Sequence, residues 1–199
     1  MKTRVAILIS GRGSNMEALV RAAQAPDYPA EVVLVLSNKP DAVGLEIARG
    51  LGVEAIAVPA KPFGKDREAH ERAIDAALRA RNVQIVCLAG YLRLLTPWLV
   101  GGWAGRMLNI HPSLLPKFPG LDTHERALRA GEAEHGCTVH LVTEGMDEGP
   151  VLGQARVPVL PNDTEEMLAA RVLEQEHKLY PAMLAVLALR LQGGGAAVG

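Results

Sequence analysis

Cysteine is scarce in this chain: two in 199 residues, Cys87 and Cys137, far apart and each inside an apolar run. That excludes a disulfide framework and suits two buried thiols in a reducing compartment. No sign of charge dominates either, since 21 Lys and Arg face 22 Asp and Glu for a formal net charge of -1. Bulk electrostatics therefore makes no case for a nucleic-acid or anionic-membrane partner. Apolar runs are too short to span a bilayer, and Met1-Lys2-Thr3-Arg4 passes straight into a strand pattern without a signal core. A soluble, cytoplasmic protein is expected. Internal repeats and long Pro/Gly-rich linkers are lacking too, so residues 1–192 are expected to form a single domain, with 193–199 a flexible tail.

Several signatures of chemistry are also missing. The Ser10-Gly11-Arg12-Gly13-Ser14-Asn15 turn has neither the Gly-x-Gly-x-x-Gly spacing of a dinucleotide site nor a P-loop's Gly-Lys-Ser/Thr ending. Ser113 stands outside any Gly-x-Ser-x-Gly elbow, which argues against a serine hydrolase. His111, His124, His135, His140 and Cys137 crowd one region, but their spacings fit no zinc signature, so no metal is expected.

What is present is a regular alternation. Val5–Ile9, Val32–Leu36, Glu54–Val58 and Ile85–Ala89 read as strands. Helical patterns over Asn15–Ala25, Ala42–Leu51 (with Gly52 as its C-cap) and Asp66–Arg81 separate them. Continuous apolar strands between helices predict a doubly wound, Rossmann-like α/β fold with a mostly parallel sheet. After Met107-Leu108-Asn109-Ile110 the pattern changes to a Pro-rich loop, a short helix near Thr123–Ala130, and strands over Cys137–Thr143 and Val151–Val159. These two predict an antiparallel C-terminal portion. A long helix follows, N-capped by Thr164 and running to about Leu191, which Pro181 is expected to kink or interrupt.

The glycine turn follows the first strand and opens the first helix, where a doubly wound sheet seats a phosphate on backbone amides. Gly11 and Gly13 allow close approach, and Ser14 and Asn15 can cap the helix and donate to anionic oxygens. A plain strand–helix turn explains the glycines about equally well. The stronger signal is Asn109-Ile110-His111-Pro112-Ser113-Leu114-Leu115-Pro116, with Asp147 following in a Gly145-Met146-Asp147-Glu148-Gly149 loop. Alternation points Asn109 and His111 to one side of a strand end. An amide can donate to a developing oxyanion, an imidazole can stabilise charge or move a proton, and a carboxylate can orient that imidazole. A core histidine and two turn-formers are the plain alternative for each residue alone, less so for the set. The neighbouring set tips the glycine turn toward a phosphorylated small substrate.

These segments, with Gly120-Leu121-Asp122-Thr123-His124 and Asp147-Glu148-Gly149-Pro150, resemble the phosphoribosylglycinamide formyltransferases, folate-dependent enzymes of purine synthesis. The resemblance runs in order from Val5 to about Pro181. It implies a formyltransferase fold with a ribonucleotide-binding half (about 1–100) and a catalytic and folate half (about 101–192). It also implies formyl transfer from 10-formyltetrahydrofolate to the amine of glycinamide ribonucleotide. By that resemblance Asn109, His111 and Asp147 are catalytic, and Gly11, Arg12, Gly13, Ser14, Asn15 and Glu176 hold the ribonucleotide. Arg67, Leu92, Arg93, Leu94, Leu95, Asn109, Thr143, Glu144, Gly145, Met146 and Asp147 would line the folate cleft. Arg12, Asp122, Gly145 and Met146 depart in type from the family pattern without removing a catalytic group.

Three other readings stay open. Methionyl-tRNA formyltransferases carry a further C-terminal domain, and formyltetrahydrofolate deformylases a further N-terminal one; neither is expected here. A non-catalytic nucleotide- or folate-binding module would tolerate loss of Asn109, His111 or Asp147. Small molecules are the expected partners, and both a homodimer and membership of a purine-enzyme assembly stay open.

Overall fold

The computed structural model describes residues 1–194. The elements in chain order are β1 (Thr3–Ile9), α1 (Ser14–Ala23), β2 (Ala30–Ser37), α2 (Val43–Gly50), β3 (Ala55–Ala57), α3 (Arg67–Arg79) and β4 (Ile85–Leu88). Then come α4 (Pro97–Gly102), β5 (Met107–His111), α5 (Thr123–Arg129), β6 (Glu134–Leu141), β7 (Val151–Pro158) and α6 (Glu165–Gln192). One seven-stranded sheet runs in the order β3-β2-β1-β4-β5-β6-β7. The first five strands in sequence pair in parallel, whereas β5–β6 and β6–β7 are antiparallel. The chain winds outward from β1 to β3 and then returns to lay β4 on the other side of β1. The loops after β1 and β4 consequently leave the sheet side by side, at the crevice where such sheets take ligands.

Both faces of the sheet are buried at its centre, and β1 shows why. Val5, Ile7 and Ile9 enter the core under α1, α2, α5 and α6, while Ala6 and Leu8 enter a second core under α3 and α4. A strand buried on both sides has no polar position to spare, which is why its sequence reads as an unbroken apolar run. Cys87 and Cys137 are free, buried thiols, and burial pushes each up to about 12. Among the described residues no helix is long and apolar enough to cross a membrane.

Several boundaries differ from the sequence reading. The six-residue α4 was not anticipated, because two of its residues are glycine; Pro97 at its first position and Thr96 at its N-cap start it. In α6, Thr164 accepts from the Met167 amide as an N-cap should. The helix then continues through Pro181 without the expected interruption. Leu168, Val172 and Tyr180 pack before the proline and Leu184, Leu187 and Ala188 after it, all buried. Tyr180 also donates to the carbonyls of Leu88 and Leu108 at 2.9 and 3.2 Å. Packing on both sides holds the helix against the missing N–H and ring clash. Of the expected flexible tail, Gly193 and Gly194 form a turn and residues 195–199 lie outside the described residues.

Gly149 closes the β6–β7 connection so tightly that an added Cβ would lie 1.7 Å from the Leu141 carbonyl oxygen. Gly149→Ala is expected to lower the midpoint of urea unfolding by the equivalent of ~2 kcal/mol or more, as overpacking against backbone does. A denaturant titration beside the wild-type chain measures it.

Candidate active site

The glycine turn begins where β1 ends. Gly13 sits in the left-handed region (φ 66°) as the N-cap of α1, and no side chain caps the helix. This corrects the expectation for Ser14 and Asn15: both lie within the first turn and neither caps it. The first-turn amides, which no helical carbonyl can reach, border an open pocket of about 220 Å³ lined by Gly11, Arg12, Gly13, Ser14, Asn15, Ala89, Gly90 and Leu92. Asn15 Oδ1 is buried there without a hydrogen-bond partner. An anion seated on such amides gains both hydrogen bonds and the helix dipole.

Gly44, which the sequence reading did not single out, holds this turn in place. Its amide donates to the Gly11 carbonyl at 3.0 Å. A Cβ there would lie 2.4 Å from Ile9 Cδ1, 2.8 Å from the Arg12 carbonyl oxygen and 2.9 Å from that of Gly11. Only a glycine lets α2 approach so closely, and nothing in the local sequence signals that approach.

The second group of residues is assembled by strand register. Asn109 on β5 lies opposite His140 on β6, and His111 lies opposite Thr138. The loop leaving β6 starts beside Met107, to whose carbonyl Val142 donates at 2.8 Å. It then folds back to set Asp147 against this same face. His111 Nδ1 is 3.4 Å from Asp147 Oδ2, and His140 Nε2 is 3.7 Å from Asp147 Oδ1. Asp147 has φ 54°, uncommon for a residue with a side chain and tolerated best by Asn and Asp.

His140 was weighed in the sequence only as a metal ligand, yet it is part of this group. Its Nδ1 meets the Leu141 carbonyl at 3.0 Å and its Nε2 meets Asn109 Nδ2 at 3.4 Å. Burial lowers its pKa, opposed by the Leu141 carbonyl and the Asp147 charge. A neutral ring with hydrogen on Nδ1 accepts from Asn109 and so sets which way that amide faces.

The Pro-rich loop completes the enclosure. Thr138 donates through Oγ1 to the Ser113 carbonyl at 2.7 Å and accepts from the Leu115 amide at 3.1 Å, while Gln154 donates to the Leu115 carbonyl at 2.8 Å. Thr123 donates to the Pro112 carbonyl at 2.6 Å. So held, the loop presents the carbonyl of Phe118 (φ 52°) to His111 Nε2 at 2.8 Å. The Gly120 amide donates to Asp147 Oδ2 at 2.9 Å. Behind it His124 Nδ1 and His135 Nε2 share a hydrogen bond of 3.1 Å. Burial lowers both rings' pKa, His135 to about 4, and each is depressed further by a neighbouring histidine. Acidification therefore sets two like charges against one another under this loop.

The remaining expected residues are distributed around these two groups. Arg67, at the start of α3, reaches the Leu94 carbonyl at 3.4 Å, and Leu92 and Leu94 stand largely exposed. Arg93 Nε is buried without a partner. Thr143, Glu144 and Met146 are exposed in the loop that carries Asp147, and Gly145 packs on the Glu148 side chain. Glu176 lies buried on α6, and among the described residues no hydrogen bond joins it to the Gly11–Asn15 turn.

Residues 3–184 match the family model described as Formyl transferase. The chain belongs to the formyl transferase family. The chain is 46% identical over 180 residues to phosphoribosylglycinamide formyltransferase of Escherichia coli, spanning 90% of this chain and 84% of that one. It is 47% identical over 188 residues to the trifunctional purine biosynthetic protein adenosine-3 of Drosophila melanogaster, and spans only 14% of that protein's length. Its fold superposes on the crystal structure of phosphoribosylglycinamide formyltransferase from Brucella melitensis with a TM-score of 0.91, at 58% identity over 94% of this chain and 96% of the other.

Burial pushes the Glu176 carboxyl up from 4.5 to about 7. Between those values the folded chain binds this proton more tightly than the unfolded one, so the group's contribution favours folding at low pH and stability falls as pH rises through the window. Glu176→Gln removes the penalty. The variant is expected to exceed the wild type above pH 8 by up to ~3 kcal/mol and to match it near pH 4.5, measured by denaturant unfolding at both pH values.

Proposed function

We propose that this formyl transferase moves the formyl group of 10-formyltetrahydrofolate to the amine of glycinamide ribonucleotide, a step of de novo purine biosynthesis. The observation that carries the reading is the meeting of His111 and Asp147, with Asn109 joined to them through His140, on a sheet whose neighbouring strand–helix turn forms an open, amide-lined pocket. The pocket takes the ribonucleotide phosphate, with Glu176 toward its ribose. Arg67, Leu92–Leu95 and the Thr143–Asp147 loop take the folate. A cytoplasmic setting suits the two free, buried thiols.

The chemistry needs no covalent enzyme intermediate. The neutral amine attacks the formyl carbon, forming a C–N bond and placing negative charge on the formyl oxygen. Asn109 Nδ2 donates to that oxygen with the hydrogen that His140 does not take. His111 faces a carbonyl through one nitrogen and a carboxylate through the other, so the imidazolium satisfies both and sets a positive charge beside the oxyanion. Asp147 balances that charge. As the tetrahedral intermediate collapses, the bond to the folate nitrogen breaks, and a water beside Asp147 carries the proton from the attacking nitrogen to the leaving one. Donors already fixed where charge develops cost no reorganisation in the transition state.

Purified protein with 10-formyltetrahydrofolate is expected to release deformylated folate only when glycinamide ribonucleotide is present, with formylated ribonucleotide as the other product. Release without the ribonucleotide would make the chain a deformylase and overturn the reading. Asn109→Ala is expected to lose ~10²–10³ in turnover, as the loss of an oxyanion donor does. Asp147→Asn is expected to lose turnover while still binding the ribonucleotide in a calorimeter, and near-normal turnover would count against the assignment.

A further inference from the structure

The segment from Gly90 to Thr96 carries four of the expected folate-lining residues but has no helix or strand of its own. Two buried side chains pin it, one at each end, and neither belongs to either substrate group described above. At the first end, Ser10 is 3% exposed. Its Oγ accepts from the Leu92 amide at 2.8 Å and donates to Asn38 Oδ1 at 2.6 Å, while its amide donates to the Gly90 carbonyl at 3.1 Å. Ser10 immediately precedes the Gly11–Asn15 turn, so one hydroxyl ties that turn, the end of β2 and the Gly90–Thr96 segment together.

At the second end, Glu71 of α3 is 2% exposed. It accepts from the Thr96 amide at 2.8 Å and from the Thr96 hydroxyl. A buried carboxylate is costly unless hydrogen-bonded, and both of these bonds go to the residue that ends the segment and starts α4. Leu92 at the first pin and Leu94 between the pins are 72% and 63% exposed, so packing alone does not hold these two residues. Without the pins, the segment's ordering would fall on the binding step.

We propose that Ser10 and Glu71 are positioning residues. Glu71 holds the folate wall, and Ser10 holds that wall against the ribonucleotide turn, setting the separation of the two substrates. The proposal rests on the formyl-transfer reading for the names of the ligands. The pinning itself does not depend on it.

Steady-state kinetics with each substrate varied in turn tests the assignment. Glu71→Ala is expected to raise the KM for 10-formyltetrahydrofolate about tenfold, with kcat and the ribonucleotide KM within about twofold. Glu71→Gln is expected to restore the folate KM, since its amide can accept from the Thr96 N–H and donate to the Thr96 hydroxyl. Ser10→Ala is expected to raise both KM values about tenfold. Equal rises in both KM values for Glu71→Ala, or no rise in either variant, would overturn the proposal. Should Glu71→Ala not fold, Thr96→Val removes the hydroxyl half of the pin and is expected to raise the folate KM alone; an unchanged folate KM overturns the assignment. Amide hydrogen exchange on the unliganded variants separates this from the functional reading. Lost protection of Leu92 in Ser10→Ala and of Thr96 in Glu71→Ala supports the pins even if the wild type turns over neither substrate, and unchanged protection overturns them.

Discussion

The antiparallel pairing of β5 with β6 is the constraint on which the site depends. A β6 laid parallel to β5 would run its residues past Asn109 and His111 in the opposite order. The reversal sets His140 across from Asn109 and Thr138 across from His111. It also allows a short connection between β6 and β7 to carry Asp147 back over the same face. Because side chains in a pair alternate strictly between faces, a slip of one residue would turn His140 away from Asn109 and leave a buried imidazole without its partner. The register and the chemistry are therefore one commitment.

Around that commitment the structure uses many directed contacts. Thr138, Gln154 and Thr123 each bind a backbone group of the Pro-rich loop, so that the Phe118 carbonyl reaches His111. Positive φ at Phe118, Asp122 and Asp147 shows how far this region departs from relaxed backbone, a common condition where function over-determines geometry. The Gly11–Asn15 turn uses the opposite device. There the turn stays bare, and Gly44 lets a neighbouring helix press on it from behind.

Much of this was legible in the chain. The strand–helix alternation follows from apolar periodicity, and the Asn109–His111 spacing places two polar groups on one side of a strand whatever surrounds them. Thr164 reads as a cap because its oxygen needs only the local amide of Met167. Other features were not legible for equally local reasons. Gly44 looks like any helix glycine until the Gly11 carbonyl lies against it. Ser14 and Asn15 look like caps, but Gly13 in the left-handed region already begins the helix. Pro181 reads as a kink or an interruption, and with packing on both sides of it the helix stays unbroken.

What the sequence by itself determined were the properties that depend on residues near one another in the chain: the elements, the apolar strands, the glycine turn, and the residue types able to stabilise an oxyanion. The tertiary structure alone decided which of those residues meet. It brought His140 to Asn109, Asp147 to His111, the Phe118 carbonyl to the ring's other nitrogen, and Ser10 to Leu92 across 82 positions. Hydrogen bonds act over about 3 Å, and the chain order of residues held that close is set by strand order and loop path, which no local pattern encodes.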